Sequence, residues 1–152
     1  MLGHLTEEEI ISVLKRNALG RIGCTDGKHT YIVPINYYYD DTGLIMHSHV
    51  GKKIEMMRTN PQVCFEVDEL QDFTNWKSVI VWGRYEEVES QEEQSKIIAS
   101  FVNSLMRIKP SETALLPELS ATRLHPRSGP LKTIIFRIVI ETMTGRFETD
   151  RE

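Results

Sequence analysis

Between residues 19 and 48, three runs rich in β-branched and aromatic side chains (Leu19 to Thr25, Thr30 to Tyr39, Leu44 to Ser48) are separated only by short turn sequences. The first turn, Asp26-Gly27-Lys28, sets Asp-Gly between two apolar runs, a strong hairpin signal, and the second is Asp40-Asp41-Thr42-Gly43. Connections this short join antiparallel neighbours, because a parallel crossover needs about a dozen residues or more. This part of the chain therefore predicts an antiparallel meander. Val63 to Val67, Ser78 to Val88 and Thr133 to Met143 read as three further strands. Alternating strand-helix-strand units are absent, which excludes a doubly wound parallel sheet. No Gly-rich phosphate loop occurs either.

Helical signals interrupt the strands at three places. Thr6-Glu7-Glu8-Glu9 has capping-box spacing, and Ile10, Ile11, Leu14 and Ala18 then recur on one face of a helix that ends near Gly20. Gly51 to Arg58 fits a short helix with Ile54 and Met57 on one side, stopped by Asn60-Pro61. Ser90-x-x-Glu93 is a second capping box, ahead of a stripe of Ile97, Ile98, Phe101, Val102 and Leu105. Residues 109–130, with Pro110, Pro117, Pro126 and Pro130, read mostly as loop. The expected fold is mainly β: a six-stranded antiparallel barrel with peripheral helices, in a single domain of 152 residues.

Charge and cysteine use narrow the function classes. The net charge is −4, and residues 61–100 carry 3 basic against 9 acidic side chains, so no bulk positive field exists to hold nucleic acid. Cys24 and Cys64 lie forty positions apart in apolar runs, matching neither a zinc spacing nor a disulfide framework, and both are expected as buried thiols. The first residues lack a signal-peptide pattern, and no apolar run of 18 residues occurs. A cytoplasmic protein is expected.

The richest stretch for chemistry is Leu44-Ile45-Met46-His47-Ser48-His49-Val50-Gly51-Lys52-Lys53. A strand runs straight into a helix start, where free backbone amides and a partial positive charge favour an anion. Lysines in a first turn oppose the helix dipole, and a bound phosphate beside Lys52 and Lys53 would resolve the conflict. Solvation of both ammonium groups is the other reading. His47 and His49 share one strand face and Ser48 the other. Two histidines alone do not make a metal site, and no third ligand is visible nearby, so no metal is expected. Upstream, Pro34 cannot donate to a sheet ladder, so Tyr31-Ile32-Val33-Pro34-Ile35-Asn36-Tyr37 predicts an edge, bulge or barrel rim, with Asn36 on the same face as Pro34. Farther on, Trp82 is expected in the core or at an interface, and Gly83 marks a close backbone approach. His4, His29 and His125 read as surface residues.

In order and spacing, four segments resemble the flavin-nucleotide-binding split-barrel superfamily, the pyridoxamine 5′-phosphate oxidase-like proteins, and within it the nitroimidazole-resistance branch. They are Tyr31 to Tyr37, Leu44 to Ser48 with Gly51-Lys52-Lys53, Asn60-Pro61-Gln62-Val63-Cys64-Phe65, and Lys77-Ser78-Val79-Ile80-Val81-Trp82-Gly83-Arg84. The likeness spans about residues 5–146, including the closing Thr142-Met143-Thr144-Gly145-Arg146. It implies a split barrel that forms a homodimer, with FMN held in clefts between the subunits. It also implies that the FMN phosphate meets Ser48 and Lys53, with Lys52 adding charge, and that Val33, Pro34, Ile35 and Asn36 line the cofactor edge. His47 matches the histidine that approaches the flavin and is the candidate catalytic residue. Ser78 and Val79 match the strand bordering the isoalloxazine ring.

The activity so implied is that of an FMN-dependent oxidoreductase on a small molecule such as a nitroaromatic. The alternative is a non-catalytic protein that stores or senses a flavin, or holds haem through His47 or His49. The substrate-binding Arg and His residues of true pyridoxamine phosphate oxidases find no match around Arg123, His125 and Arg127, so that activity is not expected.

Overall fold

The computed structural model describes residues 1–105 and 133–151, so the expected loop over 109–130, with Arg123, His125 and Arg127, lies outside the described residues. Along the described chain run β1 (Leu2–His4), α1 (Glu7–Arg16), β2 (Leu19–Thr25), β3 (Thr30–Asp40), β4 (Gly43–His49), α2 (Lys52–Thr59), β5 (Gln62–Asp72), β6 (Asn75–Glu87), α3 (Gln91–Leu105) and β7 (Thr133–Glu148). All strand pairs are antiparallel, in the order β1-β7-β4-β3-β2-β5-β6, and β6 pairs again with β7. That last pairing closes a ring of six strands, the expected barrel. β1 is an addition to it, three residues long, held on the end of β7 by Leu2↔Glu148 to His4↔Arg146.

The long β7 makes closure possible. Its first half pairs with β4 from Thr133↔His49 to Ile138↔Leu44, while its run from Phe136 to Glu148 pairs with β6. The register shifts at Trp82/Gly83, where β7 bulges. Gly83 sits at this bend as expected, because a Cβ there would lie 2.4 Å from the Val139 carbonyl oxygen. Alternation along the strands points Ile22, Tyr37, Met46, Phe65, Val79 and Phe136 into one core, which Leu14 of α1 and Met57 of α2 join. The buried Tyr37 hydroxyl donates to the Leu14 carbonyl at 2.8 Å and ties α1 to β3. A smaller cluster on the outer face, Ile45, Val88, Ile97, Phe101 and Ile135, seats α3.

Both halves of the first capping box form: Thr6 Oγ1 accepts from the Glu9 amide at 3.3 Å, and Glu9 Oε2 from the Thr6 amide at 2.7 Å. Thr6→Ala is expected to cost about 1 kcal/mol, which thermal unfolding should register as a fall of about 3 °C in Tm. The second box forms by half. Ser90 Oγ accepts from the Glu93 amide at 3.4 Å, but the Glu93 carboxylate accepts from Arg137 on β7 instead of turning back to Ser90.

Three other expectations need correction. β5 and β6 run as one long hairpin through Leu70↔Trp76, well beyond the expected Val67 and Ser78, because an exposed ribbon needs no apolar alternation. Cys24 is buried as expected, but Cys64 faces outward and is only half-buried. Trp82 is 42% exposed on the outer face, which removes it from the core and leaves the interface reading.

Candidate functional site

β3 and β4 pair only between Tyr37↔Met46 and Asp40↔Gly43. Past that point β3 keeps β2 alone as neighbour, through Asn36↔Leu19 to Thr30↔Thr25, while β4 turns to β7 through His47↔Ile135, Ser48↔Ile134 and His49↔Thr133. The two strands part at Tyr37 and Met46. Pro34 therefore lies on a lip with one paired side, where its missing N–H disrupts no ladder. Val33, Pro34, Ile35 and Asn36 form one lip of the split and His47, Ser48 and His49 the other.

The two faces of each lip differ. Ile35 is buried in the barrel core and Val33 packs against it, whereas Pro34 and Asn36 face outward. The half-buried Asn36 amide makes no hydrogen bond among the described residues, so it is available to a ligand. On β4 the His47 ring stands edge-on to Phe101 of α3, with centroids 5.1 Å apart. Ser48 points to the other face, its Oγ donating to the His49 carbonyl at 3.1 Å, and His49 is exposed.

The chain leaves the split through Gly51, the N-cap of α2, in extended backbone and with no side chain capping the helix. Its first amides thus carry an uncancelled positive end. Lys52 Nζ lies 5.2 Å from the Tyr31 ring centre on β3, so the helix start reaches across to the opposite lip. Lys53 is half-buried beside Cys24, and desolvation lowers its ammonium pKa. No carboxylate of the described residues pairs with either lysine. An anion would supply what this corner lacks, and by favouring the charged form it would push the Lys53 pKa back up.

Ser78 and Val79 stand apart from this group. Val79 is fully buried in the core, and Ser78 Oγ donates to Glu66 Oε1 at 3.2 Å on the outer face. Around the ring, β6 is separated from β3 by β2 and β5 and from β4 by β7. One chain does not bring Ser78 or Val79 to the split. Among the described residues, no group of three or more His, Cys, Asp or Glu is placed to hold a metal ion, and no helix is long and apolar enough to cross a membrane.

Sequence reasoning missed a trough on the outer face. Register aligns Ile32, Gly23, Cys64 and Trp82 in one row across β3, β2, β5 and β6. Ile32 and Trp82, 67% and 42% exposed, wall a mainly apolar concavity of about 460 Å³ whose floor is Gly23 and Cys64. The signal was present in the alternation, since outward positions of an ordinary half-buried strand are polar and these two are not. A second concavity, of about 540 Å³, lies at the far end of the barrel beside Glu9, Trp76, Lys77 and Phe147. Neither concavity is lined by His47, Ser48, Lys52 or Lys53.

The family model for pyridoxamine 5′-phosphate oxidase matches residues 6–147. The chain belongs to that family. Among solved members of this fold, a FAD-binding protein from Mesorhizobium loti is 33% identical, with a TM-score of 0.74 over 98% of this chain and 99% of its own. The FAD-binding protein from Mycobacterium smegmatis is 26% identical, with a TM-score of 0.64 over 96% and 98%. A structure described as a 5-nitroimidazole antibiotic resistance protein from Bacteroides thetaiotaomicron shares the fold at 20% identity, with a TM-score of 0.68 over 97% and 87%. The six-stranded split barrel of the pyridoxamine 5′-phosphate oxidase-like family is thus the architecture of this chain.

Proposed function

We propose that this protein is a flavoprotein that binds FMN at the β3/β4 split and acts as an oxidoreductase on a small molecule such as a nitroaromatic. The observation that carries the reading is the uncapped, unpaired basic start of α2 directly beside the parted strands. Those residues fit a phosphate: Ser48, the first amides of α2 and Lys53 would hold it, with Lys52 adding charge. Val33, Pro34, Ile35 and the unspent Asn36 amide would line the cofactor edge. A bound flavin supplies the electron transfer, and the chain binds and orients it and limits access to it. The FAD-binding relatives at 33% and 26% identity support a flavin of either length.

His47 is the side chain suited to move a proton there, since its ordinary pKa lies nearest neutrality. We also propose a cytoplasmic homodimer. One chain leaves Ser78 on a wall away from the split, so a cleft including it takes a second copy.

A visible spectrum of freshly purified protein, with the extracted cofactor identified, tests the reading. Flavin bands are the expected result, and a Soret band would favour haem at His47 or His49. Colourless protein that fails to take up added FMN would remove both. Given flavin and turnover, His47→Ala should lower turnover by about 100-fold with flavin occupancy nearly unchanged. Unaltered turnover would strike His47 from the mechanism and favour storage or sensing.

A further inference from the structure

On the outer face, the apex of the split is occupied. β3 and β4 are paired through Tyr38↔Ile45 and Tyr37↔Met46 and part at Asn36 and His47, so Tyr38 stands just inside the fork and His47 just beyond it. Both side chains lie on the outer face, since Tyr38 is opposite Ile45 and His47 opposite Ile135, two members of the outer cluster. Phe101 of α3, 3% exposed, fills the space between them. It stands edge-on to both rings, with centroids 4.7 Å from Tyr38 and 5.1 Å from His47 and interplanar angles of 81° and 84°. One side chain of a peripheral helix thus touches both lips where they diverge.

α3 is anchored so that it delivers that ring. Near its start the Glu93 carboxylate accepts from Arg137 of β7, a side chain 13% exposed whose Nη1 also lies 3.7 Å from Glu86 of β6. Gln94 Nε2 donates to the Val88 carbonyl at 2.8 Å, Ile97 is buried in the outer cluster, and Ser100 faces the Tyr38 hydroxyl. Glu93, Ile97 and Phe101 fall at i, i+4 and i+8, one face of the helix. A histidine side chain has two torsions, and beyond the fork no β3 residue is paired opposite His47 to limit them. Phe101 does so from the helix.

We infer that Phe101 is the positioning residue of His47, a wedge that holds the imidazole in the orientation from which it moves a proton at the flavin. The inference rests on the reading of the split as a flavin site with His47 as its proton-moving group, and it adds a residue from an element which that reading leaves out. An edge-on aromatic pair biases the orientation of a ring by about 2- to 10-fold. Ser48 points to the opposite face of β4, so the wedge and the anion corner lie on different sides of the strand. The wedge therefore bears on turnover and not on flavin affinity.

Phe101→Leu tests this by removing the ring while keeping an apolar side chain on α3; if it folds poorly, Phe101→Met puts an adaptable unbranched chain in the same gap. In histidine-labelled protein, with the His47 ring signal of the magnetic resonance spectrum identified by its loss in His47→Ala, the substitution should move that signal toward those of the exposed His29 and His49. In the flavin-loaded protein it should lower kcat by about 2- to 10-fold, with KM and flavin occupancy nearly unchanged. In the His47→Ala background it should change nothing further, because a group that acts only through His47 has no effect without it. Ile97→Val loosens the same helix face one turn earlier and should leave both the signal and kcat as in wild type. An unmoved His47 signal or an unchanged kcat in Phe101→Leu, the same loss repeated in the His47→Ala background, or an equal loss in Ile97→Val would overturn the positioning role. Protein that takes up no flavin, or a His47→Ala variant with wild-type turnover, would bring down the reading of the site and this role with it. The ring signal is read without turnover and so tells that failure from a failed wedge.

Discussion

Lys53→Glu is expected to weaken FMN binding by about 100-fold or more while changing riboflavin binding only a few-fold. A charge-assisted hydrogen bond contributes about 1.5–3 kcal/mol, so its loss alone removes about 10- to 100-fold. Reversal adds repulsion on top. Lys53 is half-buried beside Cys24, where water screens less than on the open surface, and no described carboxylate offsets the new charge. Riboflavin carries no phosphate and should barely register the change. Flavin fluorescence quenching, titrated with both ligands on the same stripped protein, reads the difference. Lys53→Met retains most of the aliphatic stem and should fall between wild type and the glutamate variant, for FMN only. Equal losses for FMN and riboflavin would mean that the side chain supports the fold of the corner rather than an anion.

The parted strands were legible because one residue type has one meaning there. Pro34 cannot serve a ladder on both sides, and the structure gives it a single neighbour strand. Gly83 was legible for the same kind of reason, a backbone approaching where a side chain would stand. The Thr6 box was readable because both its partners are local. The Ser90 box was half readable, since Glu93 has a competitor 44 residues away in sequence, and no local pattern reveals Arg137.

The β5–β6 hairpin shows a different blindness. Its distal half, Asp68 to Lys77, holds no buried residue and scatters Leu70, Phe73 and Trp76 among polar side chains, so the alternation that marks a half-buried strand is missing. The turn had its own signal: Asp72 Oδ1 accepts from the Thr74 amide at 2.8 Å, a side-chain turn of the kind Asp favours. For the candidate site, sequence order alone puts His47, Ser48, Lys52 and Lys53 at one strand-to-helix junction, the end of β4 and the start of α2. It grouped Ser78 and Val79 with them only through the family likeness. Ring order, a long-range property, sets those two on a different wall.

Gly83→Val is expected to be among the most destabilising single substitutions in this chain. Its Cβ would sit 2.4 Å from the Val139 carbonyl oxygen, 2.7 Å from Ile138 Cγ2 and 3.1 Å from the Val139 carbonyl carbon. Two of these are backbone atoms of β7 at the bulge that lets the barrel close, and they cannot swing aside as a side-chain tip can. The β6–β7 pairing must open locally to admit the branched group, and overpacking of this kind costs about 3 kcal/mol or more. At this chain length that corresponds to a fall of about 10 °C in Tm. Gly23→Ala is the matched control. Its Cβ would meet nothing closer than the Cys64 carbonyl at 3.6 Å, an ordinary contact, so the fold should hold within about 1 kcal/mol. Comparable losses for the two variants, measured by denaturant unfolding, would contradict the account of Gly83 as the point of closure and point to a general intolerance of side chains on the sheet.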